Sequence, residues 1–318
     1  MYSLIFTSEN DQSTVDVIDW LLYYGKEFLV LSDETRYSIV DIDKDGCFTI
    51  ETEGIRICSK EIRSVWFRRG AFYPKSITIS AFDDISVSEI FRGYYNKMSA
   101  VLNEYVQMAL LKANSINSQK YQSVNKLEVL LLAKELGLKV PEFIMTTQKT
   151  VLREFKNQHD NIITKDITDG IYFLTSSFLA LAYTELITDD FLDSIPESFS
   201  LSFFQELIEK KVDVRSFYLN GDFYSMAIFS QSNKRTSVDF RHYDKATPNR
   251  CVPFKLPNKI EEKLSKLLQT INLNSGSIDL IYSKCNDFVF LEVNPIGQFG
   301  MCSIPCNYYL EKKIAEFL

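Results

Sequence analysis

The sequence predicts a mixed α/β and α+β protein built from several subdomains, and three observations carry that expectation. The chain opens on a strand-helix-strand pattern, its middle alternates helices with short strands, and its last third is a run of strands joined by tight turns. At 318 residues and 46% apolar content it is long enough for two or three packed layers. Only 11 Gly and 8 Pro are present, so no low-complexity linker stands out and an ordered chain is expected.

The opening comes from Tyr2-Ser3-Leu4-Ile5-Phe6, a helical pattern over residues 15–22 stopped at Gly25, and Phe28-Leu29-Val30-Leu31. Strand-like pieces continue to Ser64-Val65-Trp66-Phe67-Arg68-Arg69-Gly70, and an amphipathic stretch over residues 86–113 predicts one long helix. Near Ser123 a Ser and an Asn are placed to cap the next helix, which carries Leu127, Leu130, Leu131 and Leu132 and closes at Gly137 before Val140-Pro141. A strand at residues 143–146, a helix over 151–157 and a strand at 161–165 follow, ending in a polar loop with Asp169-Gly170. An acidic stretch over 185–197 leads into strands at 201–204, 214–219, 223–230 and 237–241, with Asn220-Gly221-Asp222 as a hairpin turn. A helix over 259–270 precedes two strands, 277–282 and 288–293, whose turn-rich link Lys284-Cys285-Asn286-Asp287 makes them antiparallel neighbours.

A formal net charge of -7 argues against broad binding to nucleic acid, since the phosphate backbone rewards clustered Lys and Arg. No apolar run approaches the roughly 20 residues that cross a bilayer, so a cytoplasmic protein without a membrane partner is expected. The six cysteines are scattered, and only Cys302 and Cys306 are near neighbours. With His159 and His242 the only histidines, neither a disulfide framework nor a zinc site is expected.

Chemistry concentrates in Leu291-Glu292-Val293-Asn294-Pro295. Glu292 and Asn294 are two apart and share a strand face, and the neighbouring strand brings Asp279 beside them. Three oxygen donors of this kind suit Mg²⁺, which keeps open positions for phosphate oxygens. Taken alone, the pair would fit a solvated strand edge better than a metal site.

Upstream, Phe203-Phe204-Gln205-Glu206-Leu207-Ile208, then Lys210 and Asp213-Val214-Arg215, resembles the adenine hinge of the ATP-grasp superfamily. The resemblance implies nucleotide contacts from Gln205, Glu206, Leu207 and Asp213, with Glu206 offered to the adenine edge. Lys126 and Lys165 stand where ATP-grasp ligases hold nucleotide phosphates. Arg241, in Val238-Asp239-Phe240-Arg241-His242-Tyr243, matches the strand-end Arg that glutamate-adding members aim at phosphates and the acyl phosphate. These motifs run in the superfamily's order over roughly the last two thirds of the chain. The implied architecture is an ATP-grasp fold: an N-terminal β-α-β pre-ATP-grasp domain (1–114), a central α+β subdomain (115–198), and a C-terminal antiparallel-sheet subdomain with hinge and metal site (199–318).

Residues 290–301, Phe-Leu-Glu-Val-Asn-Pro-Ile-Gly-Gln-Phe-Gly-Met, together with Val65-Trp66-Phe67-Arg68-Arg69, look like the graspetide (microviridin-type) peptide maturases, nearest the grasp-with-spasm branch. That likeness implies an ATP- and Mg²⁺-dependent macrocyclase working on a ribosomally made precursor of leader plus core, and a homodimer. Asp or Glu side chains would be activated as acyl phosphates and joined to Lys amines or Ser and Thr hydroxyls. Mg²⁺ would sit at Asp279, Glu292 and Asn294, while Lys165, Arg241 and Arg215 would serve catalysis. Arg68 and Arg215 are the expected holders of precursor carboxylates, because guanidinium forks match carboxylate geometry. Asp189 and Asp190, in the acidic stretch, are the expected contacts for a basic part of the leader. No general base is assigned; His242 is one candidate. An amino-acid ligase acting on a peptide or protein C-terminus, or a nucleotide-binding module without turnover, would keep the same nucleotide residues.

Overall fold

A computed structural model describes residues 1–32, 35, 37–70, 85–168, 172–174, 179–181, 184–231, 238–240 and 246–318. Asp169-Gly170, Arg241 and His242 lie outside the described residues. The chain divides into two compact units, Met1–Ser123 with Gln298–Ser303 and Tyr309–Leu318, and Val124–Gly297 with Ile304–Tyr308. Among the described residues no helix is long and apolar enough to cross a membrane.

In the first unit β1 (Tyr2–Phe6), α1 (Gln12–Tyr23) and β2 (Phe28–Leu31) form the expected parallel strand-helix-strand opening. A three-stranded antiparallel sheet follows, β3 (Tyr37–Ile42), β4 (Phe48–Thr52) and β5 (Ile55–Cys58). Then come β6 (Ile62–Phe67), the long α2 (Ile85–Leu110) and β7 (Asn114–Ile116). The parallel sheet has the order β2-β1-β6-β7. Its central strands β1 and β6 are covered on both faces, which is why they read as continuous apolar runs rather than alternating ones. Leu4, Phe6, Val65 and Phe67 pack with Tyr37, Phe48, Ile50 and Ile57 and with Val106 and Leu110 of α2.

The second unit begins with α3 (Lys126–Glu135), where Asn125 is the capping residue: its side-chain oxygen accepts from the Leu127 and Glu128 amides at 3.1 and 3.2 Å. Gly137, at φ +77°, supplies the left-handed step that ends the helix. Next are β8 (Phe143–Gln148), α4 (Lys149–Gln158), β9 (Ile162–Thr164), the paired β10 (Tyr172–Leu174) and β11 (Leu179–Leu181), β12 (Glu185–Leu186), α5 (Asp189–Ser194) and β13 (Ser198–Glu206). Strands β12-β9-β13-β8 make an antiparallel sheet over a core of Leu152, Phe155, Ile162, Ile187, Leu192 and Phe204.

A second antiparallel sheet, β16-β15-β14-β17-β18, is built from β14 (Lys210–Leu219), β15 (Asp222–Phe229), β16 (Arg250–Phe254), β17 (Ser275–Ser283) and β18 (Phe288–Asn294). The β14-β15 turn is the one the sequence marked, with Asn220 and Gly221 both at positive φ, the requirement of a two-residue hairpin loop. Between β16 and β17 lies α6 (Asn258–Thr270), whose Leu264, Leu267 and Leu268 are buried. Two helices, α7 (Gly300–Cys306) and α8 (Leu310–Phe317), complete the chain.

One expected strand, 237–241, needs correcting. Within it the described residues 238–240 are not extended; Asp239 is buried and accepts from the Thr184 amide at 3.4 Å. The strand beside β15 is β16 instead, which contains Pro253. An edge strand tolerates a proline because one side of its ladder needs no N–H donor, so the residue that masks this strand in the sequence is compatible with its position.

Candidate functional site

Within the second unit a cleft lies between the ends of β9 and β13 and the strands β14, β17 and β18. Ile163 and Lys165 line it, as do Gln205 and Leu207, and in each pair the members are two residues apart and so share a face. Strand alternation sends the intervening Glu206 the other way. Its carboxylate accepts from the Glu142 amide at 2.8 Å and faces His159 Nδ1 at 3.7 Å. This corrects the expectation that the Glu206 side chain serves the cleft; what the residue keeps there is its place in the chain between two lining residues. The Leu207 amide is likewise committed, donating to the Asn161 carbonyl at 2.9 Å.

The floor carries the carboxylates. Asp279 on β17 and Glu292 on β18 are cross-strand partners, and Asn294 stands opposite Ser277 in the same ladder. The register slips between Asp279 and Leu280, which pair with Glu292 and Phe290, leaving Leu291 as an extra residue. This bulge places Leu291 beside Glu292 in the cleft wall while Phe290 turns into the core. Asn294 Oδ1 accepts from the Ile296 amide at 3.0 Å, which fixes the amide plane at the strand end.

Cations surround these groups. Arg215 on β14 is opposite Asp279, with Nη1 3.3 and 3.4 Å from its two oxygens. Lys126, at the start of α3, and Lys165, just past β9, place their Nζ atoms 3.5 and 3.6 Å from Glu292 Oε2. Lys126 also donates to the Thr168 carbonyl at 2.7 Å. Three cations therefore face the two carboxylates of the floor. The oxygens of Asp279, Glu292 and Asn294 are a hard donor set that fits Mg²⁺, with neither thiolate nor imidazole among them.

Deeper in the cleft Lys210 and Asp213 form a buried pair at 2.8 Å; Lys210 also donates to the Val238 carbonyl, and Ser230 Oγ donates to Asp213 at 2.5 Å. Burial, outweighing these partners, pushes the Asp213 carboxyl above the usual carboxylate range. In a regular strand residues three apart point to opposite faces. The register slips again between Lys210 and Val212, and this second bulge brings Lys210 round to Asp213. Lys210 and Asp239 are cleft residues that the sequence reading did not assign. Their only signal was a Lys and an Asp in strand-like sequence, which ordinarily means solvated charge.

The remaining expected residues lie elsewhere. Arg68, in the first unit, is 4% exposed and already holds a carboxylate: its Nε is 2.9 Å and its Nη2 3.3 Å from the two oxygens of Asp11. A guanidinium so enclosed is not presented to a substrate, which corrects its expected role. Asp189, beside Asp190 at the start of α5, pairs with Lys156 at 2.8 Å, and that ammonium, with Arg153 nearby, holds its carboxyl below the usual range.

No family model matches the sequence, and no curated protein matches it. Solved structures do. The macrocyclase MdnC from Microcystis aeruginosa MRC, bound with precursor peptide MdnA, superposes with a TM-score of 0.75 at 23% identity, covering 100% of this chain and 99% of that one. The Chryseobacterium gregarium RiPP-associated ATP-grasp ligase, in complex with ADP and a leader and core peptide, matches at 0.75 and 22%, covering 99% and 94%. The ATP-grasp ligase PsnB, complexed with minimal precursor, Mg and ADP, matches at 0.68 and 15%, covering 99% and 95%. The chain has the ATP-grasp fold over its whole length.

Proposed function

We propose that the chain is an ATP- and Mg²⁺-dependent macrocyclase of a ribosomally made precursor peptide, joining activated Asp or Glu side chains to Lys amines or Ser and Thr hydroxyls. The observation that carries this reading is the Glu292 carboxylate, set against Asp279 across the ladder and between the Lys126 and Lys165 ammonium groups in one cleft. The fold likeness supports the substrate class, since MdnC is bound with its precursor peptide and the Chryseobacterium ligase with a leader and core peptide. PsnB, with Mg and ADP, supports the cofactors.

Asp279, Glu292 and Asn294 would hold Mg²⁺, which supplies neutralisation of phosphate charge when bound. Lys126 and Lys165 hold the nucleotide phosphates, and Gln205, Leu207 and Asp213 border the nucleoside. Arg241 joins the phosphate site in this proposal, and Arg215 orients the incoming carboxylate from behind Asp279. The precursor carboxylate attacks the γ-phosphorus of ATP, and ADP leaves, giving an acyl phosphate. The acceptor amine or hydroxyl then attacks the acyl carbon; phosphate leaves, and the acceptor's proton passes to solvent. Positioning and charge neutralisation supply most of the acceleration. Asp190 and Asp189 are proposed contacts for the leader, and a cytoplasmic homodimer completes the proposal.

The test is to incubate the chain with ATP, Mg²⁺ and a precursor encoded beside it, and to weigh the peptide. Macrocyclisation removes one water per link. A mass gain equal to an added amino acid would replace this reading with an amino-acid ligase, and nucleotide binding without ADP release would replace it with a non-catalytic module.

A further inference from the structure

The turn after β18 is closed by one residue. Asn294 Oδ1 accepts from the Ile296 amide at 3.0 Å, and the Asn294 carbonyl accepts from the Gly297 amide at 3.0 Å. Asn294 is exposed, and the bond from Ile296 is the only one its side chain makes among the described residues, so the turn alone sets the direction of Oδ1. Asp279 and Glu292, two positions further into the ladder, are aligned by strand pairing instead.

The turn rests on two small residues of β17, Gly276 and Ser277, the latter the cross-strand partner of Asn294. A Cβ added at Gly276 would stand 3.2 Å from the Asn294 carbonyl oxygen. One added at Gly297 would overlap the Ser277 side chain and stand 2.8 Å from the Ser277 amide nitrogen, a separation that side-chain carbons do not adopt. Neither glycine has a positive φ, so conformation does not demand it; the close approach of two backbones does. Ser277 is 0% exposed and its hydroxyl has no hydrogen-bond partner among the described residues, which shows how closely the turn covers it.

We infer that Gly297 is a positioning residue of the metal site: by lying directly on Ser277 it sets the height of the turn over β17, and through the turn it aims Asn294 Oδ1. The inference rests on the Mg²⁺ site proposed above. A methyl group at position 297 meets strand backbone and a short buried side chain, neither of which can swing aside, so the turn itself must lift. Lifting carries off the Ile296 amide and, with it, Oδ1, while Asp279 and Glu292 stay in register. Mg²⁺ demands near-octahedral geometry with short bonds, so one displaced oxygen among three weakens the site without abolishing it. Lys126 and Lys165 are carried by α3 and the end of β9, outside this turn, so the metal-free affinity for nucleotide is kept.

Calorimetric titration of ADP, with and without Mg²⁺, into the full chain, Gly297→Ala, Ser277→Gly and the double variant tests this. The wild type should bind ADP more tightly with Mg²⁺, and Gly297→Ala should lose about tenfold of that gain with its metal-free affinity kept. Adding Ser277→Gly removes the side chain that the methyl meets and should recover about threefold, the remainder lost to the Ser277 amide nitrogen. A Gly297→Ala protein with the full wild-type gain would overturn the inference and leave the metal site standing. Equal losses with and without Mg²⁺ would also overturn it, as the mark of a damaged fold, and so would effects of the two substitutions that simply add. A wild type that gains nothing from Mg²⁺ would remove the metal site and the inference together.

Discussion

Two carboxylates in this protein each stand between two cations, and the two settings differ in distance and exposure. Asp11, in the first unit, lies 2.9 Å from Arg68 Nε and 3.5 Å from Arg69 Nε, with its side chain 5% exposed. Thr14 Oγ1 donates to the same carboxylate, and Arg68 also lies over the Phe299 ring. Burial pushes the Asp11 carboxyl up, but the Arg68 guanidinium more than offsets that and holds it below the usual range. Glu292, in the second unit, meets Lys126 and Lys165 at 3.5 and 3.6 Å, beyond good hydrogen-bond range, and its side chain is 21% exposed. Tight, forked and enclosed geometry marks a pair that holds the fold. Longer contacts and a more exposed carboxylate mark a pair that can exchange partners for a ligand.

The largest expected effect tests the closed pair. Arg68→Ala leaves Asp11 buried without its main partner and should cost about 3–5 kcal/mol of stability, read by urea denaturation. A loss within experimental error would show that Arg68 is not structural and would restore it as a substrate contact. Next is the open carboxylate: Glu292→Gln should lower ADP formation by about a hundredfold while the unfolding midpoint stays put. Wild-type turnover would remove Glu292 from the metal site. Lys165→Ala comes third, with nucleotide affinity reduced by about tenfold in a fluorescence titration; unchanged affinity would take that residue out of the phosphate site.

The smallest effect is one of pH. A carboxyl whose folded pKa is depressed contributes stability above its unfolded value, and that contribution is lost as pH falls through the folded pKa. Asp11 should therefore sharpen the acid limb of the stability profile below about pH 4. In Asp11→Asn the limb should be shallower and the neutral-pH Tm lower, as followed by circular dichroism. An acid limb of the same slope in both proteins would count against the closed pair.

Much of this was legible in the sequence. The β1-α1-β2 opening, the Asn125 cap, the Asn220-Gly221 hairpin and the β17-β18 pair follow from local periodicity and turn chemistry, which need no knowledge of distant packing. The shared face of Glu292 and Asn294 follows from alternation alone, whereas Asp279 reaches that face through the bulge at Leu291, since an unbroken register would set it opposite Leu291. What escaped the sequence depends on register and burial. Two bulges, near Lys211 and at Leu291, invert the face a residue count assigns, and neither carries a glycine or proline to announce it. Arg68 offers the same letters whether it reaches solvent or folds back on Asp11, 57 positions away in the chain, and only the tertiary structure decides. Glu206 is the converse case. Alternation turns its carboxylate away from the face of Gln205 and Leu207, whereas the hinge resemblance alone would aim it at the cleft.

The central claim is that Glu292 is held open for a metal-bound nucleotide whereas Asp11 is closed on its arginine. Calorimetric titration of ADP, with and without Mg²⁺, into the full chain and into Glu292→Gln tests it most directly. The account predicts that Mg²⁺ tightens ADP binding to the wild type and that this gain disappears in Glu292→Gln, with the metal-free affinity largely kept. An equal Mg²⁺-dependent gain in both proteins would contradict it.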